Sequence, residues 1–204
     1  SGNVYITGGS SGSTSSNDYV TIKYNSAGAE QWNARYNGTG NDNDVSFGLV
    51  VSGSGNVYVT GSSVGQGSAT DYATVMYNSS GAQQWASRYN GPNNTNDDAS
   101  SIAIDGSGNV FVTGASNSGG SNLDYLTLMY NGSGGQVWEQ RYNGPANGVD
   151  AALSISVDNS ANVYITGSSQ GSGSSTDYAT IKYMSLVGIT TISSEIPEVF
   201  KLYE

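Results

Sequence analysis

Gly55-Asn-Val-Tyr-Val-Thr-Gly61 is followed in the chain by Asp71-Tyr-Ala-Thr-Val-Met-Tyr-Asn78 and then by Trp85-Ala-Ser-Arg-Tyr-Asn-Gly91. All three motifs recur at steps of 53 residues, as in Gly2, Gly55 and Gly108. The first motif also starts at Ala161, the second at Asp18, Asp124 and Asp177, and the third at Trp32 and Trp138. Self-similarity at a fixed period is the signature of a repeat architecture. The 204-residue chain is therefore predicted to fold as a row of equivalent units.

Each unit is predicted to contain four short strands, which we call a, b, c and d. β-Branched and aromatic residues dominate these segments, and no helical period competes with them. The predicted strands a are residues 45–51, 98–104 and 151–157, and the first strands b, c and d are residues 3–7, 18–24 and 30–36. The a–b and c–d connections are short and end with glycine or asparagine, which suits tight hairpin turns.

Strand a indicates how the units pack. Phe47, Leu49 and Val51 alternate with the small residues Ser46 and Gly48, so one face is large and the other is small. Such strands suit sheets that stack around a crowded axis, and four-stranded units of this size arranged radially are β-propeller blades. We therefore predict an all-β fold, a β-propeller of four-stranded blades with about three and a half blades present.

The repeated motifs resemble the bacterial SBBP β-propeller repeat. The resemblance rests on Gly-Asn-Val-Tyr-Val-Thr-Gly, on Asp-Tyr-Ala-Thr-Val-Met-Tyr-Asn and on Trp-x-x-Arg-Tyr-Asn-Gly-Pro, in one order and at one spacing, and it covers residues 1–183. It implies a propeller in a secreted or cell-surface protein, and it implies no reaction.

The predicted strand order is b-c-d, a-b-c-d, a-b-c-d and a-b-c, so the first and last blades are incomplete. Unpaired strand edges are templates for pairing. We therefore expect either a fragment of a larger propeller or a chain that associates through these edges as a homo-oligomer or a filament. Residues 184–204 leave the repeat. Their Ser-Glu-Ile-Pro-Glu-x-Phe-x-Leu core resembles the start of a type IX secretion sorting domain. Two other interpretations are a linker, or a segment at residues 186–192 that supplies the missing strand d.

The composition excludes several classes of function. The formal net charge is −10 with six basic residues, which makes nucleic acid a poor partner. The chain has no His and no Cys, which removes histidine bases, thiol nucleophiles and the usual zinc ligands. No apolar run approaches the length of a membrane-spanning helix. We expect neither a cofactor nor catalysis, and Ca²⁺ is the one metal for which the chain offers candidate ligands.

Aspartate and arginine recur in register, and they are predicted to form structural pairs. If Tyr24 faces Ala29 across the c–d turn, each strand-c aspartate lies directly opposite a strand-d arginine. Opposite charges that face each other across an antiparallel pair stabilise a sheet modestly. The predicted pairs are Asp18 with Arg35, Asp71 with Arg88, and Asp124 with Arg141.

The b–c and d–a loops are predicted to emerge at one end of the blades, and this loop end is rich in aspartate. Its candidates for ligand contact are Asp42, Asp44, Asp97, Asp98 and Asp150. They read as solvated loop carboxylates, and the first four are weak Ca²⁺ candidates because carboxylates are calcium ligands. Loops on a rigid scaffold often carry function.

Three functions therefore remain open at the level of the sequence. The first is a non-catalytic interaction or structural module on the bacterial surface or outside the cell, such as a display scaffold, an adhesin-like module or an assembly subunit. The second is binding of a carbohydrate, or of a ligand with the help of Ca²⁺, at the loop end. The third is a non-catalytic domain of a larger secreted enzyme. Protein or glycan is the expected partner.

Overall fold

A computed structural model describes residues 2–12, 16–117, 122–173 and 175–184, apart from the side chain of Asn93. These residues form fourteen strands and one short 3-10 helix, Pro92–Asn94. The strands are β1 (Val4–Ser11), β2 (Asn17–Tyr24), β3 (Glu30–Tyr36), β4 (Asp44–Val51), β5 (Val57–Val64), β6 (Thr70–Tyr77), β7 (Gln83–Tyr89), β8 (Asp97–Ile104), β9 (Val110–Asn117), β10 (Leu123–Tyr130), β11 (Gln136–Tyr142), β12 (Ala151–Val157), β13 (Val163–Gln170) and β14 (Thr176–Tyr183).

The strands form four antiparallel sheets, each a simple meander. Their orders are β1-β2-β3, β4-β5-β6-β7, β8-β9-β10-β11 and β12-β13-β14. This confirms the predicted all-β fold of propeller-like blades and the predicted grouping of strands. The b strands run about four residues further than predicted, because β1 ends at Ser11 and β5 at Val64. The b–c connections are correspondingly shorter.

A β-bulge in strand d changes the predicted register. The turn closes with Asn25 N–H donating to the Ala29 carbonyl at 2.9 Å. Tyr24 then pairs with Glu30, and Lys23 with Trp32, so that Gln31 is the extra residue of the bulge. Val20, not Asp18, lies opposite Arg35. The prediction that the aspartates and arginines directly face each other is therefore wrong by two residues, and the same shift occurs at Arg88 and Arg141.

A second bulge, in strand a, changes which residues form the large apolar face of that strand. Pairing with β5 skips from Ser46 to Gly48, so Phe47 bulges out and is 60% exposed. Leu153 occupies the equivalent bulge in β12 and is also exposed. Leu49 and Val51 share one face as predicted and pack in the apolar layer between the first two sheets. The prediction that Ser46 lies on the opposite face with Gly48 is wrong, because the Ser46 hydroxyl lies 2.7 Å from the Thr7 hydroxyl of the first sheet whereas Gly48 faces Ile102 of the third. An inserted residue reverses the alternation of faces from that point on.

The core consists of three apolar layers, one between each pair of successive sheets. The first layer packs Tyr19 and Tyr36 against Val57, Val59 and Val75. Equivalent residues fill the second and third layers, in which Tyr72 and Tyr125 take the place of Tyr19. Each sheet is therefore covered by its sequence neighbours, as expected of a repeat array.

Among the described residues, no helix is long and apolar enough to cross a membrane. The tail at residues 185–204 lies outside the described part of the chain. The interpretations of that tail as a sorting signal, a linker or a strand therefore stay predictions.

Candidate functional site

The loops that connect strand d to strand a share one hydrogen-bonded arrangement. A buried aspartate closes each loop by accepting the backbone N–H of a glycine six residues earlier. The bonds join Gly38 to Asp44, Gly91 to Asp97 and Gly144 to Asp150, each at 2.6 Å. All three aspartates are fully buried. A carboxylate that accepts a backbone N–H makes a strong charge-assisted bond. An aspartate at the equivalent position therefore stabilises the conformation of each of the three loops.

Two asparagines complete this arrangement in every loop. The Nδ2 group of the first donates to Oδ1 of the second, from Asn37 to Asn41 at 2.6 Å. The equivalent bonds run from Asn90 to Asn94 at 2.7 Å and from Asn143 to Asn147 at 2.5 Å. The second asparagine has a positive φ of 52–53° in all three loops, a conformation that asparagine tolerates better than most residues. We call the pattern Asn-Gly-x-x-Asn-x-x-Asp the loop frame.

Glycine is needed in the loop frame because the carboxylate lies so close to it. A Cβ atom on Gly91 would lie 2.8 Å from Asp97 Oδ1, and one on Gly144 would lie 2.6 Å from Asp150 Oδ1. Neither distance leaves room for a methyl group. The glycine and the aspartate of the frame therefore depend on each other.

Burial raises the pKa of two frame aspartates, Asp44 and Asp97. It raises the pKa of Asp44 above its ordinary value, and the Gly38 N–H bond only partly opposes this. Burial raises the pKa of Asp97 in the same way. These carboxyl groups are buried and bonded to their own loops, so their raised pKa values follow from their place in the loop frame.

The five predicted ligand-contact residues have different environments in the structure. Asp44, Asp97 and Asp150 are buried in the loop frame, so the expectation that they are solvated loop carboxylates is wrong. Asp44 and Asp97 also lie on strands, because β4 and β8 begin at these residues. Asp42 is exposed, and Asp98 accepts a hydrogen bond from Ser62 Oγ at 2.6 Å. Ligand binding at Asp42 and Asp98 stays a prediction.

Within the described residues, no three carboxylates come together as a metal-binding group. The Ca²⁺ candidates Asp44 and Asp97 lie in separate loops, and each is held by its own glycine. The sequence analysis grouped the candidates by their composition. In the fold, Asp42 and Asp44 lie at the first d–a loop and Asp97 and Asp98 at the second.

The arginines reach diagonally to the aspartates of strand c. Arg35 pairs with Asp18 at 3.0 Å and Arg88 with Asp71 at 2.7 Å. Arg88 also donates to the Ser63 carbonyl at 2.8 Å, so it ties three strands together. These pairs lie at the end of the blades that also carries the loop frames.

Arg141 has a different set of contacts. Its Nε donates to Glu139 at 3.1 Å, and its Nη2 donates to the Tyr89 hydroxyl at 2.7 Å and to Ser116 Oγ at 3.0 Å. Asp124 is buried at the place equivalent to Asp18. Arg141 therefore connects the second and third sheets, a contact between blades that the pattern of repeated charges did not predict.

The positions between the frame residues differ from loop to loop. The four intervening residues are Thr-Gly and Asp-Asn in the first loop, Pro-Asn and Thr-Asn in the second, and Pro-Ala and Gly-Val in the third. Thr39, Pro92 and Val149 are exposed examples. The sequence analysis missed the loop frame, although its spacing is visible once the loops are aligned by the 53-residue period.

One family model, described as the SBBP beta-propeller repeat, matches residues 84–120. The matched segment runs from β7 through the second d–a loop and β8 to the end of β9, and its last three residues lie outside the described part of the chain. The match supports the predicted repeat family, and it does not reach the tail that resembles a sorting domain. A search of curated proteins found none that matches the chain.

Proposed function

We propose that the chain is a non-catalytic interaction and structural module of a secreted or cell-surface bacterial protein, built as a display scaffold. The observation that carries the proposal is the contrast within the d–a loops. The glycine and the aspartate of each frame are constant, buried and bonded to each other, and the two frame asparagines are constant and bonded to each other at the surface. The residues between them vary from loop to loop, and Thr39, Asp42, Pro92, Asn96, Ala146 and Val149 among them are exposed. A rigid frame that presents different exposed loops is the usual design of a recognition surface.

The chemistry of the site supports a role in binding over a role in catalysis. Catalysis needs a titratable group that reaches a substrate. The two carboxyl groups whose pKa burial raises, Asp44 and Asp97, are enclosed by their own loops. The exposed positions carry amides, hydroxyls, prolines, Val149 and the carboxylate of Asp42, which suit contact with a protein or a glycan.

A loop exchange tests the display scaffold. Residues 92–96 are replaced by the Pro-Ala-Asn-Gly-Val sequence of residues 145–149, which preserves the frame asparagine, and the melting temperature is compared with that of the native chain. We expect a change of no more than about 2 °C, since exposed substitutions away from packing cost little. Asp97→Ala is the matched control and should lower the melting temperature by several degrees. An exchanged loop that destabilises as much as Asp97→Ala would contradict the proposal.

Localisation is tested by brief protease treatment of intact cells that carry the native gene, with a cytoplasmic protein as the control. We expect the repeat protein to be in the medium or to be cleaved while the control stays intact. Protection equal to that of the cytoplasmic control would contradict a surface or secreted location.

Measuring the melting temperature with and without each ligand distinguishes Ca²⁺ binding, glycan binding and a protein partner at the loop end. A ligand that binds only the native state raises the melting temperature. A rise with Ca²⁺ that EDTA reverses and Asp42→Asn abolishes would favour calcium-assisted binding. A rise with one class of oligosaccharide would favour glycan binding, and no rise with either would favour a protein partner.

A further inference from the structure

Each sheet is bonded to the next one by a tyrosine of strand c. Tyr19 Oη donates to the Ala73 carbonyl, Tyr72 Oη to the Leu126 carbonyl and Tyr125 Oη to the Ala179 carbonyl, each at 3.3 Å. The three tyrosines are at most 1% exposed. The three junctions between sheets are therefore built from the same pair of surfaces.

The fourth equivalent tyrosine is exposed. Tyr178 lies on β14 of the last sheet, and 67% of it is accessible to solvent. Tyr164 lies on the neighbouring strand β13, opposite Lys182, and is 37% exposed, whereas its equivalents Tyr58 and Phe111 are buried. We call this surface, defined by Tyr164, Tyr178 and Lys182, the front face.

The first sheet exposes the opposite surface. Val4 and Ile6 on β1 are 53% and 47% exposed, although their equivalents in the other three sheets are at most 2% exposed. Those equivalents are Val57, Val59, Val110, Val112, Val163 and Ile165. We call the surface formed by Val4, Ile6, Val20 and Ile22 the rear face. In each internal junction, the equivalents of these residues are covered by the front face of the preceding sheet.

The front and rear faces match each other because they are further copies of the surfaces that already meet three times within the chain. We propose that a second copy of this chain docks head to tail, with its rear face on the front face of the first copy. Such a contact is heterologous, and it either closes into a ring or continues as a row. The contact uses sheet faces, so it is independent of the loop display proposed above.

The internal junctions show which bonds the intermolecular contact would make. The Val20 carbonyl accepts Thr7 Oγ1 at 3.3 Å, just as the Ala73 carbonyl accepts Thr60 Oγ1 at 3.3 Å. The Ala73 carbonyl additionally accepts the hydroxyl of Tyr19, since a carbonyl oxygen has two lone pairs. Tyr178 of one copy would thus donate to Val20 of the other.

Lysine supplies a second specific contact. Lys23 lies over the ring of Tyr5 at 5.6 Å and donates to the Ser79 carbonyl of the second sheet at 3.3 Å. Lys182 lies over the ring of Tyr164 at 5.3 Å in the equivalent arrangement. By the same repeat, the Lys182 ammonium group would reach the Ser26 carbonyl of the second copy.

The first test measures the mass of the 204-residue chain by light scattering and sedimentation across a concentration series. We expect the mass to rise to at least twice that of the monomer. Ile6→Lys on the rear face and Tyr178→Lys on the front face should each weaken association at least ten-fold. Val137→Lys is the matched control, since Val137 is also exposed and apolar but lies in the bulge of β11, at a position that is glutamine in the other repeats. Circular dichroism checks that every variant is folded.

The second test mixes the two interface variants. Ile6→Lys keeps an intact front face and Tyr178→Lys keeps an intact rear face, so an equimolar mixture should form a heterodimer and stop there. A monomer at all concentrations would overturn the proposal, as would an oligomer that survives both substitutions or a mixture that stays monomeric. If the native chain is monomeric and Tyr178→Lys lowers its melting temperature, the front face is covered by the chain itself.

Discussion

At the scale of single residues, glycines at equivalent positions of the repeat have different neighbours. Gly81 and Gly28 both end a c–d turn with a positive φ, at 87° and 78°. A Cβ atom on Gly81 would lie 2.7 Å from Trp32 of the preceding sheet, whereas a Cβ atom on Gly28 would meet nothing within 4 Å. The positive φ constrains both positions, and the tryptophan constrains only Gly81.

Alanine at these two positions separates backbone strain from crowding. Gly28→Ala should cost about 1–2 kcal/mol of unfolding free energy, the usual cost of a left-handed alanine. Gly81→Ala should cost about 1–3 kcal/mol more, because Trp32 must move. Urea unfolding with tryptophan fluorescence measures both values. Equal costs would show that Trp32 yields without loss.

The burial of Asp97 predicts an unusual dependence of stability on pH. Because burial raises the pKa of Asp97, the native state binds this proton more tightly than the unfolded chain does. Its contribution to stability is therefore present below the unfolded pKa and is lost as the pH rises through the folded value. Asp97→Asn, which cannot titrate, removes this dependence.

The measurement compares urea unfolding of the native chain and Asp97→Asn from pH 7 to pH 4. We expect the free energy of unfolding of the native chain, relative to the variant, to increase as the pH falls through this window. Asp42→Asn is the control for removal of one negative charge at the loop end, since Asp42 is exposed. A difference that stays constant with pH would contradict the role given to burial.

At the scale of strands, the bulge in strand a decides which apolar residues stabilise the fold. Phe47 projects from the bulge into solvent, while Leu49 packs into the layer between the first two sheets. Phe47→Ala should change the free energy of unfolding by no more than about 0.5 kcal/mol. Leu49→Ala should lower it by about 2 kcal/mol. Chemical denaturation of the two variants checks this order, and the reverse order would place Phe47 in the core.

The strands show how far the sequence determines the fold. The 53-residue period and the alternating β-branched residues predict the four-stranded units and their order, because these features repeat. Bulges at Phe47 and Gln31 insert one residue each, and no local pattern distinguishes an inserted residue from a paired one. The burial of Asp44 was missed for a related reason, since its partner is a backbone N–H group whose position depends on the loop conformation.

At the scale of the whole molecule, the sheets differ in how well they are covered. The second and third sheets are packed on both faces, whereas the first and fourth expose the rear and front faces. In an array of repeats, stability is a sum of the units and their junctions. A unit with one junction therefore opens more easily than a unit with two.

Hydrogen exchange of the backbone amides measures this difference strand by strand. In dilute solution, the amides of β5, β6, β9 and β10 should exchange most slowly, and those of β1 and β14 faster, because local opening depends on buried contacts. Raising the protein concentration should slow exchange in β1 and β14 selectively, since head-to-tail docking covers these two strands and leaves the inner sheets unchanged. Tyr178→Lys should abolish the concentration effect in both strands while leaving β5 and β10 protected. Concentration-independent exchange at β1 and β14 would show that the two faces do not meet in solution.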